Sequence, residues 1–130
     1  AGQCWRPPEA GWITINTNGS VFDDQPNGGA GGAHSHLAFQ GVWCKPLPGV
    51  SDPFITELLA FREGVIFAQL RGYSHVIMEV DCLDLVDLWK SRDNSRSVAA
   101  PNLIELEEIS ASFVSFSVTH VSREVHVPAH

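Results

Sequence analysis

The sequence is poor in the features that define several protein classes. Its 130 residues include three cysteines, Cys4, Cys44 and Cys82, scattered and without a C-x-x-C pair. An odd, dispersed set argues against a disulfide framework or a structural zinc site, and fits a reducing intracellular compartment, nucleus or cytoplasm. No apolar run approaches the ~20 residues of a membrane span, and no basic-then-apolar leader opens the chain, so neither membrane insertion nor secretion is expected. Repeats and low-complexity tracts are missing as well. Positive charge is scarce: 8 Lys and Arg stand against 15 Asp and Glu, a net charge of −7. Phosphate neutralisation supplies most non-specific nucleic-acid affinity, so this balance lowers the affinity expected for a polyanion. Carboxylates gathered to hold divalent cations are locally neutralised once metal binds, which keeps such a partner open.

What is present is an ordinary globular composition, 44% hydrophobic and 18% charged. A chain of this size buries one core. Residues 1–10 carry Trp5, Pro7 and Pro8 without periodicity and read as a disordered or linker lead-in, leaving 11–130 as a single domain. Ile13 and Ile15 alternate with Thr14 and Asn16 as in a strand. The acidic, then Pro- and Gly-rich stretch 23–29 reads as a loop, and Gly28-Gly-Ala-Gly-Gly32 as a flexible turn. It lacks the Gly-Lys-Ser/Thr of a phosphate loop and precedes a strand rather than a helix. Two strands around Gly31–Ala38 and Gly41–Lys45, joined at Gln40-Gly41, complete an antiparallel meander, and 45–50 reads as a Pro/Gly loop.

Asp52-Pro53 is a helix start, with a capping acceptor followed by a proline preset for the first turn. Ile55, Leu58, Leu59, Arg62, Val65, Ile66 and Gln69 form one broad stripe at helical spacing, and Gly72 suits the C-terminal cap. His75–Val80 is a β-branched run typical of a buried strand. A helix packed through Leu85, Val86 and Trp89 follows, with Asp81 a candidate for its cap. After a polar loop over 91–100, Leu103, Leu106 and Ile109 mark another helix. Phe116, Val118 and His120 mark a last strand. The order βββαβα(α)β implies an α/β fold with a mixed sheet and helices packed on it.

Three segments carry the chemistry: Ile13-Thr-Ile-Asn-Thr-Asn-Gly-Ser20 ending a strand, Thr56-Glu-Leu-Leu-Ala60 opening a helix, and Val76-Ile-Met-Glu-Val-Asp81 ending a second strand. Their order and spacing resemble the ribonuclease H domain, especially its reverse-transcriptase-associated and plant ribonuclease H-like branch, some of it derived from retrotransposons. The resemblance runs from about Trp12 to His130. It implies a five-stranded mixed sheet whose first three strands are antiparallel. It also implies a hydrolase, an endonuclease that cuts the RNA strand of RNA–DNA hybrids by a two-metal mechanism with Mg²⁺ (or Mn²⁺). By that resemblance Glu57 and Asp81 are catalytic metal ligands, Asn18 stands at the first-ligand position and His130 at the fourth.

Two of these positions depart from the family pattern. Asn18 is an amide where the family has aspartate, and an amide oxygen carries no charge to bridge two cations. His130 stands where the closing Ala-Asp would supply a fourth acid, and its ring nitrogen suits softer metals than Mg²⁺. The sequence ends there, so the C-terminal helix is expected either to be truncated or to lie beyond His130. A loss of several kcal/mol of metal stabilisation slows a reaction by roughly three or more orders of magnitude. Weak or absent cleavage is therefore expected. The alternative is a non-catalytic module that binds nucleic acid or a protein partner; a monomer is expected in either case.

Lys90, Arg92 and Arg96 follow the second helix, and Arg123 falls in a His-Val-x-Arg run beginning at His120. The resemblance makes these contacts to the hybrid backbone, which carry affinity without sequence choice. His34 and His36 share one strand face but have no third ligand in range, and read as packing or surface histidines rather than a zinc pair. Trp5, Trp12, Trp43 and Trp89 read as packing residues.

Overall fold

A computed structural model describes residues 11–22, 27–36, 39–92 and 100–122. The elements in chain order are β1 (Trp12–Val21), β2 (Asn27–His36), β3 (Phe39–Pro48), α1 (Pro53–Leu70), β4 (His75–Val80), α2 (Leu83–Lys90), α3 (Ala100–Ser110) and β5 (Ser115–His120). They build one five-stranded sheet in the order β3-β2-β1-β4-β5. β1 pairs antiparallel with β2, and β2 with β3, while β1–β4 and β4–β5 are parallel. The mixed sheet and its three leading antiparallel strands match the expectation from sequence. The proposed lead-in over 1–10 and the C-terminal segment around His130 lie outside the described residues.

Alternation decides which face is covered. Ile13, Ile15 and Thr17 of β1 are buried, as are Val76, Met78 and Val80 of β4, and the intervening residues are half-buried or exposed. The buried set meets Leu58, Phe61, Val65 and Ala68 of α1, with Leu85, Val86 and Trp89 of α2 and Leu103 and Leu106 of α3 in the same core. Among the described residues, then, the helices cover one face of the sheet. Phe61, Trp89, Phe113 and Phe116 meet there through edge-to-face, tilted and stacked ring contacts, geometries that aromatic quadrupoles favour.

Helix α1 begins as its sequence dictates. The Asp52 carboxylate accepts from the Phe54 amide at 2.8 Å and the Ile55 amide at 3.2 Å, and Pro53 opens the first turn. The helix ends at Gly72, where φ is +76° and the Tyr73 amide reaches back to the Ala68 carbonyl. Its buried side differs from the apolar stripe read from sequence. Thr56, Leu58, Ala60, Phe61, Gly64, Val65 and Ala68 are buried, whereas Ile55, Leu59, Arg62 and Ile66 are only half-buried and Gln69 is exposed. The helix is apolar on most sides, so small residues that allow close approach to the sheet select the inward face. Gly64 shows this: a Cβ there would lie 2.9 Å from Met78 Cε and from Thr17 Cγ2.

The meander also departs from expectation in two places. The glycine-rich segment 28–32 is not a turn but lies within β2. Gly28 is closed in by the Thr56 side chain and the Val50 carbonyl, and Gly32 by Trp43 and the Asn16 carbonyl. Close packing of backbone, rather than turn geometry, accounts for these two glycines. β3 likewise starts before Gln40-Gly41 and runs through Pro46 to Pro48, so the expected turn is strand and only Gly49 and Val50 of the expected 45–50 loop lie outside it. Those prolines are tolerated because β3 is a sheet edge.

Candidate metal and nucleic-acid site

The site grows from the ends of two adjacent parallel strands. The last paired residues of β1 and β4 are Thr17 and Val80. Asn18 and Asp81 follow them directly, Asn18 still paired with Gly31 of β2 and Asp81 just past the end of β4, so an amide and a carboxylate stand at one level on neighbouring strands, both exposed. Ligands collect at such carboxyl ends in α/β sheets. Gly19 sets the third component. A Cβ on Gly19 would collide with the backbone of Thr56 and Glu57, so only glycine lets the end of β1 abut the first turn of α1. Glu57 is thereby held beside the strand end.

A cleft of about 540 Å³ opens here, lined by Gly19, Ser20, Glu57, Asp81, Cys82 and Asp84 among others. The structure thus brings Glu57 and Asp81 together, as the resemblance implied. Asn18 borders an adjoining depression of about 370 Å³ that shares Ser20 with the cleft. Asp81 does not cap α2 as it might from sequence: Cys82 occupies that position without a side-chain cap bond. The Asp81 carboxylate is left for the cleft. Its carbonyl oxygen lies 3.1 Å from His120 Nε2; a carbonyl can only accept, so this contact selects the Nε2–H tautomer of His120.

Burial, then the nearby carboxylates of Glu57 and Asp84, push the Cys82 thiol above its ordinary pKa, against the backbone bonds from Leu85 and Asp84. The Cys82 thiol is therefore harder to ionise than a free cysteine. The donors at this end are hard oxygens, which suit Mg²⁺ or Mn²⁺ over softer ions. Two carboxylates and an amide match the charge of one dication. Among the described residues no group of three or more His, Cys, Asp or Glu is placed to hold a metal ion.

The basic residues separate. Lys90 is exposed at the end of α2. Arg92 is already engaged: it lies over the Trp89 ring at 4.1 Å, donates from Nη1 to the Trp89 carbonyl at 2.8 Å, and pairs with Glu107 at 3.0 Å. As a free phosphate contact it is compromised. Arg96, Arg123 and His130 lie outside the described residues, as do Trp5 and the His36 side chain. His34 packs on the Phe67 ring, with centroids 4.6 Å apart, in keeping with a packing histidine. Trp89 is buried and Trp43 half-buried, but Trp12 is exposed and stacks on His75 at 4.5 Å.

Ser20 and Asp84 were not singled out from sequence. Asp84 lies in the first turn of α2, three residues after Asp81, and an acid in a first helical turn close behind a strand-end aspartate is the signal the sequence offers.

Comparison with known proteins agrees with this architecture. A family model described as reverse transcriptase-like matches residues 16–130. Comparison with curated proteins returns no match. Among solved structures, the ribonuclease H1 of the halophilic archaeon Halobacterium salinarum superposes with a TM-score of 0.72 at 13% identity, covering 86% of this chain and 86% of that one. LC11 ribonuclease H1, solved with an RNA/DNA hybrid, gives 0.68 at 14% identity over 90% of each chain. The foamy viral protease-reverse transcriptase, solved with dsDNA, gives 0.73 at 13% identity, covering 95% of this chain and 89% of that one. At such identities the likeness concerns the fold, which is RNase H-like. The family match spans nearly all of the sequence, and on that ground the chain belongs to the reverse transcriptase-like family.

Proposed function

We propose that this domain binds nucleic acid, RNA–DNA hybrid above all, at the Glu57–Asp81 end of its sheet, and that hydrolysis there is weak or absent. The observation that carries this reading is the register placing Asn18 beside Asp81, with Glu57 held against the same strand end by Gly19. Asn18, the residue that the resemblance puts at the first-ligand position, is exposed and carries no charge. Glu57, Asp81 and the Asn18 amide would hold one Mg²⁺ or Mn²⁺. When bound, that ion supplies Lewis-acid stabilisation of the phosphodiester. Relatives in fold have been solved with hybrid and with dsDNA, which supports a nucleic-acid partner.

A second reading, a binding module without catalysis, is favoured by the same amide and by the net charge of −7. Hybrid binding and cleavage, measured together in Mg²⁺ and in Mn²⁺, separate the two. The chains to compare are the unsubstituted protein, Asn18→Asp, and Asn18→Asp with His130→Asp. The unsubstituted chain is expected to bind hybrid and cut at background. A restored carboxylate is expected to raise cleavage by roughly three orders of magnitude, the counterpart of several kcal/mol in the barrier. Binding by all three without cleavage by any leaves the binding module. Failure of all three to bind hybrid contradicts the first reading and leaves the second only with a protein partner.

A further inference from the structure

A second polar feature lies away from the acidic cleft and plays no part in it. His34 of β2 pairs with Ile15 of β1 and Gly41 of β3. It faces Phe67 on α1, ten residues or about 15 Å along the helix from Glu57. The imidazole is clamped. Its centroid is 4.6 Å from that of Phe67, and the bare Gly41 lets Nε2 lie directly against β3, where a Cβ would collide with it. On the other side of the hairpin contact, the Arg71 guanidinium lies 5.2 Å from the centroid of the same Phe67 ring. His34 Nδ1 is buried and has no hydrogen-bond partner among the described residues.

This environment accepts a neutral ring and resists a charged one. With the proton on Nε2, Nδ1 is an unused lone pair, a modest cost. An imidazolium has an N–H at both nitrogens, and a buried donor without a partner is expensive, more so beside another cation. Among the described residues, the charged groups on the packed elements give it no anion. At the C-cap of α1, Arg71 is a like charge, and the Glu63 carboxylate of that helix is taken by Lys45 at 2.8 Å and Arg62 at 3.8 Å. β1 presents Ile15 and β3 presents Gly41.

We propose that His34 is an acid-sensitive latch: the neutral ring holds the β2–β3 hairpin on the C-terminal turns of α1, and a proton on the ring releases it. Burial, then the Arg71 charge, hold the imidazole below its ordinary pKa, which agrees with the geometry. The sign follows. The unfolded chain binds the proton first, so the latch contributes fully above the ordinary histidine pKa of about 6.5. Its contribution declines as pH falls from there through the folded-state value. The latch stands whether or not the acidic cleft binds nucleic acid, since the two share no residue.

Imidazole NMR of the whole chain from pH 8 to 5, with amide exchange in parallel, tests it. The His34 midpoint is expected below about 6.5 and should rise in Arg71→Gln. Protection factors of the amides flanking His34 and Gly41 should drop at least tenfold across that midpoint. His34→Phe keeps an aromatic ring on Phe67 and should retain protection at pH 5. A midpoint at or above the ordinary value, or protection unchanged across it, overturns the proposal. So does a folded His34→Phe that loses protection in acid as the unsubstituted chain does. If His34→Phe fails to fold, the titration of the unsubstituted chain still decides.

Discussion

At the scale of single residues, polar atoms define what is unusual. Thr17 is fully buried on β1, and its hydroxyl has no partner among the described residues. Valine has the same shape without the oxygen and suits a strand. Removing an unpaired buried hydroxyl recovers its desolvation cost, so Thr17→Val should stabilise the fold by about 1 kcal/mol, read by chemical denaturation. A loss of stability would show that the hydroxyl is satisfied in solution. One position further on, Asn18 is exposed, so under the proposed function its amide bears on metal binding rather than on packing. The Asn-Gly-Ser run was legible as a family-like motif, whereas the close approach at Gly19 and the cleft lining by Ser20 appear only in the folded chain. Asp81 was legible as an acid at a strand end but not as free of capping duty, because capping depends on which residue the backbone presents at the helix entrance.

At the scale of elements, the helix starts and stops were readable and the packed faces were not. Asp52-Pro53 and Gly72 act locally through hydrogen bonds and permitted φ, so sequence alone fixes them. The inward face of α1 depends on which side lets the helix approach the sheet, and Ala60, Gly64 and Ala68 decide that only when the sheet is present. The glycines of β2 misled for the same reason, since glycine serves both turns and close approach. Gly19 is the sharpest case of close approach. Its substitution by alanine drives a methyl into the backbone of Thr56 and Glu57, atoms that cannot rotate away. Gly19→Ala should destabilise by about 1–3 kcal/mol in thermal or denaturant melts, as overpacking does, and should displace Glu57 from the strand end. Unchanged stability would mean that the junction between β1 and α1 is looser than the structure shows. By contrast the Arg62–Glu105 pair, joined at 2.8 Å across α1 and α3, is partly exposed. Glu105 is held below its usual carboxylate range by the Arg62 hydrogen bond, but solvent screening leaves such a pair worth little.

At the scale of the whole molecule, an RNase H-like sheet brings residues from three distant segments to one end. Asn18, Glu57 and Asp81 could be grouped from sequence through family resemblance, whereas composition and periodicity alone gave only a mixed α/β fold. The positions of Ser20 and Asp84 required the folded chain, because a lining residue is defined by what surrounds it. The net charge of −7 opposes the approach of a polyanion, so under the proposed function a cation held at the acidic end would favour nucleic-acid binding. The central claim is that this end is a divalent-cation site short of one carboxylate at Asn18. Mn²⁺ affinity, titrated by calorimetry on the unsubstituted chain, Asn18→Asp and Asp81→Asn, addresses it most directly. Asn18→Asp should bind at least about tenfold more tightly than the unsubstituted chain, or ~1.4 kcal/mol, and Asp81→Asn should bind more weakly. Equal affinities in all three proteins would contradict the account.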